Sequence, residues 1–229
     1  LSALISSVSS WRLGTQIHGW VLRHGIEWDL STANSLIAFY SNCNKLEEAR
    51  WLFEHMPEKD LISWNSIISA HSRDAEALFY FEQMVEANAS PDAITFVSLL
   101  SACAHMGLVE DGQRLFRMMR NDYGVRPIME HYACMVNLYG RAGLIDEAYD
   151  FIVNRMDTEA GPTVWGALLY GCYLHGSVDL AEIAATALFE LEPDNEHNFE
   201  LLMRIYVSAG RFDDVKKVKA MMLERGLNL

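Results

Sequence analysis

The residues best equipped for chemistry in this 229-residue chain are four cysteines, a scatter of histidines and a recurring pair of Asn and Asp. Cys43, Cys103, Cys134 and Cys172 stand 60, 31 and 38 residues apart, with no CxxC pair. Zinc sites and disulfide frameworks need closer, paired spacing, so the cysteines are predicted to be buried thiols in a reducing compartment. His131, His175 and His197 lie far apart in sequence. There is no Gly-rich phosphate loop and no nucleophile elbow, nor the HxE glutamate and PCxxC pair that a zinc deaminase needs. No catalytic residue, metal or cofactor is therefore expected. What does recur is Asn34 with Asp60, then Asn65 with Asp92. An Asn amide carries both a donor and an acceptor. Each Asp precedes an apolar run, where N-capping is the ordinary role. Each Asn falls early in such a run, where facing solvent or capping is ordinary.

The chain that must position these residues is half hydrophobic and acidic, with 18 basic against 31 acidic residues and a net charge of −13. The imbalance is even: residues 1–92 carry 6 basic and 12 acidic, 93–160 carry 6 and 9, and 161–229 carry 6 and 10. Such a balance argues against gripping nucleic acid mainly through phosphates, but not against reading bases. The long uncharged run Gly161 to Val178 holds a Pro, four Gly and a His, so a buried helix is expected there and no membrane span. The opening LSALISS has no signal or transit character and reads as the middle of a longer chain.

A period organises the rest. The segments KLEEARWLFEHM, DAEALFYFEQM, LVEDGQRLFRMM, LIDEAYDFIVNRM, VDLAEIAATALFEL and RFDDVKKVKAMM align on Ala49, Ala77, Gly112, Ala148, Ala181 and Val215, in steps of 28, 35, 36, 33 and 34 residues. Upstream of each lies a second apolar run, with an aromatic near its start (Trp64, Phe96, Tyr132, Trp165, Phe199; Ala33 is the exception) and paired aliphatics after it. Most of these runs end in Gly (Gly107, Gly143, Gly176, Gly210), and the first ends in Asn44, residues that reach a left-handed helix cap cheaply. Pro57 closes the second run of its unit. Each unit thus reads as helix, tight turn, helix. Neither helix can bury its apolar face alone, so the expected fold is all-α, a right-handed α-solenoid superhelix of stacked helix-turn-helix repeats. The aromatic column and Met56, Met84 and Met119 are expected in its core. The short unit 61–92 is expected to turn differently around Arg73 and Asp74.

The stretches LEEARWLFEHMPEKDLISWNSII, PDAITFVSLLSACAHMGLVEDGQRLF and MEHYACMVNLYGRAGLIDEAY strongly resemble the plant pentatricopeptide-repeat family, PLS subgroup, in which long, short and standard motifs alternate. On that resemblance, 1–29 is a partial long motif, 30–60 short, 61–92 standard, 93–128 long and 129–160 short. Residues 162–195 and 196–229 resemble the two E-type motifs that follow such repeats. The resemblance implies an organelle of a land plant, single-stranded RNA as target, and a role in intron splicing or C-to-U editing. Chloroplast is the expected compartment, with mitochondrion as the alternative.

The family reads one base per repeat with the fifth residue of a motif and its last. Carried over, these are Asn34 with Asp60 and Asn65 with Asp92, a combination that resembles a uridine preference. Asp60 and Asp92 would orient the amides, and Ile62, at a second position, would wedge between bases; Ser31 fits that role poorly. The other motifs depart from the pattern, with Val97 and Ile128, Ala133 and Ala160, Gly166 and Asn195, and Glu200 and Leu229 in those places, and Glu130 at a wedge position. With two reading pairs, this stretch by itself is expected to bind RNA weakly. The resemblance further implies editing-factor or deaminase partners acting in trans, docked on the E-type region. The ending MMLERGLNL lacks the extension usual in editing factors, and Arg204 replaces a more usual Asn. The competing expectation is a protein-binding scaffold with no RNA contact.

Overall fold

The computed structural model describes residue 5 and residues 11–26 and 29–227. Among these residues there are thirteen regular helices and no strand. They are α1 (Trp11–Arg23), α2 (Leu30–Asn42), α3 (Leu46–His55), α4 (Leu61–Ala70), α5 (Glu76–Glu86), α6 (Ala93–Met106) and α7 (Val109–Asn121). Then follow α8 (Met129–Arg141), α9 (Ile145–Asn154), α10 (Pro162–His175), α11 (Val178–Leu191), α12 (Glu196–Ser208) and α13 (Phe212–Glu224). The helices form two compact units, residues 1–106 with 118–125, and residues 107–117 with 126–229.

In the first unit, α2 packs on its hairpin partner α3 and on α4, the first helix of the next hairpin; α4 packs in turn on α5 and α6. The second unit repeats the scheme, with α8 against α9 and α10, α10 against α11 and α12, and α12 against α13. Each first helix therefore packs against two neighbours, which is why its apolar residues cover more than one face, while each second helix keeps a solvent face. The columns anticipated from the period are core. Ala33, Trp64, Phe96, Tyr132 and Phe199 are buried, as are Met56, Met84 and Met119. Phe53 meets Trp64 edge-on at 4.9 Å, and Phe189 stacks on Phe199 at 3.8 Å. Trp165 differs, being only half-buried, because it lies at the lip of grooves along α9 and α11.

Local chemistry ends the helices where the period placed the breaks. α3 stops at His55, two residues before Pro57. Asn44 adopts φ 57° at the turn between α2 and α3, the backbone state that Gly143 takes at φ 79° between α8 and α9. The α4–α5 turn has no such residue. There His71 ends α4 and Asp74 folds back, accepting from the Glu76 N–H at 2.9 Å and lying 3.1 Å from the His71 ring. None of the cysteines is in a disulfide; Cys103 and Cys172 are buried, Cys43 and Cys134 half-buried. Burial pushes the Cys134 and Cys172 thiols up to about 11, so neither is a ready nucleophile near neutral pH. Among the described residues no helix is long and apolar enough to cross a membrane.

Candidate nucleic-acid interface

Asp60 is the N-cap of α4, and its position follows from the helix start. Its Oδ1 accepts the Ser63 N–H at 2.8 Å, and the Asp60 N–H donates to the Ser63 hydroxyl at 3.2 Å. Asp92 does the same for α6, accepting the Thr95 N–H at 3.0 Å while its own N–H donates to the Thr95 hydroxyl at 3.1 Å. Capping leaves a lone pair on each carboxylate aimed back at the preceding hairpin. There the amide of Asn34 donates to Asp60 Oδ1 at 3.2 Å, and that of Asn65 donates to Asp92 Oδ1 at 3.0 Å. Capping and orienting are thus held by the same carboxylate. Neither Asn is a solvent-facing or capping residue: they are 7% and 9% exposed, each the fifth residue of its helix, α2 and α4.

The two pairs sit on one surface. Asn65 lines a groove of about 650 Å³ between Ile62 and Ile94, with the α2 C-terminal turn on its far side. Asn34 lines an adjoining groove of about 380 Å³, between Ser31 and Ile62. The two share Ala38, Ile62 and Ser66. Ile62 and Ile94 are 61% and 58% exposed, unusual for isoleucine, and they project beside the amides. Among the described residues lining the larger groove, hydroxyls and amides predominate, Arg73 brings a positive charge and there is no carboxylate. An acidic chain thus keeps its carboxylates off this groove. The chemistry on offer is flat apolar contact from isoleucine, amide hydrogen bonding from the Asn, and a cation at the rim.

Ile94 and Thr95 were passed over in reading the sequence. Their signal was available, since DAIT at 92–95 copies DLIS at 60–63. The remaining positions divide. Val97 is half-buried and Ile128 45% exposed. Ala133, Ala160 and Gly166 are half-buried, and Glu200 is exposed. Asn195 serves as the N-cap of α12, accepting the His197 N–H. Leu229 lies outside the described residues. His131 is buried and accepts the Ile128 N–H at 3.0 Å, the capping role that Ser63 and Thr95 play elsewhere. Among the described residues no three His, Cys, Asp or Glu side chains gather as metal ligands.

Burial alone would raise the Asp60 pKa, but the bonds from Ser63 and Asn34 outweigh it and hold the carboxyl below its usual 3.8. Stability from these bonds is present above the ordinary Asp range and is lost as pH falls through the depressed value. Asn34→Ala removes one donor, so an NMR titration is expected to show the Asp60 pKa move back up.

The comparisons with known proteins agree with this architecture. The PPR repeat model matches residues 31–61, 94–123 and 130–153, and the E motif model matches 175–228. The chain is 61% identical over 227 residues to the chloroplastic pentatricopeptide repeat-containing protein At4g25270 of Arabidopsis thaliana, covering 99% of this chain and 43% of the relative. It is 47% identical over 225 residues to the chloroplastic CRR2 of the same plant, covering 97% and 34%. The mitochondrial At1g06140, also from Arabidopsis thaliana, is 44% identical over 224 residues, covering 96% and 40%. The chain thus spans less than half the length of these curated relatives. The crystal structure of the pentatricopeptide repeat protein PPR10 from maize superposes with TM-score 0.71 at 16% identity, over 99% of this chain and 39% of that one. Its complex with an 18-nt psaJ RNA element gives TM-score 0.68 at 18% identity, over 90% and 32%. The helical hairpins stacked first helix on first helix, the repeat matches along them and the E motif after them place the chain in the pentatricopeptide-repeat family, as an all-α repeat solenoid with an E motif in its C-terminal part.

Proposed function

We propose that the protein is a single-stranded RNA-binding adaptor in organellar RNA processing. Asn34 with Asp60 and Asn65 with Asp92 each read one base, with a lean to uridine, and Ile62 packs between the two bases. The observation that carries this reading is the double occurrence of one arrangement, an Asn amide held by the cap Asp of the next hairpin, at the lip of a groove whose isoleucines stand exposed. A base stacked against Ile62 or Ile94 would bring its polar edge to the amide. The RNA complex of PPR10 supports the class of ligand. Chloroplast is favoured over mitochondrion by the chloroplastic relatives of 61% and 47% identity.

The C-terminal part then recruits proteins, editing-factor or deaminase partners among them. What favours this is the surface beside Trp165, where Val153, Ile183 and Leu191 are 56%, 42% and 49% exposed. Selection of RNA from a random 20-nucleotide pool by the full-length protein tests the reading. Two adjacent uridine-rich columns are expected, and a selected set with no such pair of columns would sink it. Transcript profiling of a loss-of-function plant separates the two processing roles, through unspliced introns or unedited cytidines.

A further inference from the structure

The surface beside Trp165 has the opposite chemistry to the reading groove. It consists of two adjoining depressions, of about 590 and 670 Å³, that share Trp165, Ala187 and Glu190. One wall is α11, whose lining positions are 179, 182, 183, 186, 187, 190 and 191. That spacing is one whole helix face from first turn to last, about 18 Å long at 1.5 Å per residue. An apolar stripe of Val153, Trp165, Ile183, Ala187 and Leu191 runs along it. Thr186 spends its hydroxyl on the Glu182 carbonyl at 2.7 Å, so it asks nothing of a ligand. The rim is acidic: Asp157, Glu159, Asp179, Glu182 and Glu190 line it, and among the described lining residues there is no Lys, Arg or His. Arg211 answers Glu182 at 2.8 Å, and the Tyr132 hydroxyl donates to Asp157 at 3.3 Å. Glu159, Asp179 and Glu190 are exposed, and no ion pair among the described residues reaches them. Glu190 stands in the last turn of α11, where the helix dipole disfavours a carboxylate and no basic residue offsets it.

From this we infer that the groove seats a basic amphipathic helix of a partner protein, about three turns long, with its apolar stripe on Trp165 and Ile183 and Lys or Arg along both edges. The inference rests on the recruiting role proposed above and names the chemistry of the partner. An apolar ridge spaced at three and four residues on α11 is matched by the same spacing on a second helix. Cations along the edges of that helix meet carboxylates that have no partner to give up. RNA is the wrong occupant, because its phosphates would face this acidic rim. A second copy of the chain, with net charge −13, is repelled in the same way.

The test is the binding of three fluorescent peptides of about 14 residues to the full-length protein, read by anisotropy. One carries a Leu stripe at helical spacing with Lys along its edges, the second keeps the stripe with Glu edges, and the third scrambles the first so that the stripe is lost. The Lys-edged peptide is expected to bind about tenfold tighter than either of the others. Ile183→Lys sets a cation on the stripe and is expected to weaken that peptide about tenfold. Glu190→Lys is expected to weaken it about fivefold and to strengthen the Glu-edged peptide, a reversal that misfolding does not produce. Both positions are exposed, so both variants are expected to fold. Equal binding of the Lys-edged and scrambled peptides, or no effect of either variant, would overturn the inference. So would an Ile183→Lys variant that loses affinity for the selected RNA, or one that turns a dimer into a monomer in sedimentation, since these assign the groove to RNA or to a second copy. Complementing the loss-of-function plant with Ile183→Lys separates this inference from the recruiting role. Unprocessed transcripts without a peptide preference would sink the basic helix and keep recruitment, whereas normal processing would sink both.

Discussion

Replacing Gly171 with alanine destabilises the protein by about 2 kcal/mol, or roughly 4–8 °C of Tm, even though alanine is the better helix former. Gly171 lies in α10, which packs closely on α8. A Cβ built on Gly171 would stand 2.8 Å from the Gly140 Cα, and one on Gly140 would stand 3.2 Å from the Gly171 Cα. The first obstacle is backbone, so no side chain can swing aside; the helices must separate, and Ile145, 3.3 Å from the same Cβ, must move with them. Two helices that meet at glycine gain contact along their whole crossing, so parting them forfeits dispersion well beyond the one methyl. Gly166, on the same helix, is the control. A Cβ there meets nothing within 4 Å, so Gly166→Ala is expected to stabilise by about 0.5–1 kcal/mol. Thermal unfolding followed by far-UV circular dichroism reads both. Equal effects of the two substitutions would mean that the close crossing is not tight in solution.

Exchanging Asn34 and Asn65 for alanine together lowers the affinity of the full-length protein for its selected RNA by about 30-fold, with each single change worth about fivefold. The fold is expected to survive. Both positions are inside helices, where alanine is favoured. Asp60 and Asp92 keep their capping bonds to Ser63 and Thr95 when the amides are gone. Titration of a fluorescent oligonucleotide against the double variant measures the loss, and an unchanged Tm ties that loss to the interface. Unaltered RNA affinity with intact partner binding would favour the protein-binding scaffold instead.

Much of this was legible in the residue order, for a reason specific to repeats. A helix that must bury one face against its own hairpin and another against the next has little choice of residue, so apolar runs, small crossing residues and turn residues recur at the period. That is why Asn44 could be expected at a left-handed turn, and why Trp64, Phe96 and Tyr132 could be placed in a core before any coordinates. The same logic overreached at Trp165, whose place in the column is regular but whose surroundings leave it half-exposed.

By itself, then, the sequence determined the elements, their pairing into hairpins and the residues available to touch a base, because each of these depends on local periodicity and on chemistry a side chain carries with it. Only the tertiary structure decided how those residues act. Asn34 and Asn65 are identical in type and motif position, yet one oxygen meets a hydroxyl and the other meets none, since that depends on where Ser63 and Thr95, from the following hairpins, come to rest. The close approach of Gly140 and Gly171, 31 positions apart in the chain, is likewise set by how α8 and α10 cross. Contacts between hairpins depend on tenths of an ångström in helix packing, and no spacing along a single chain encodes distances at that scale.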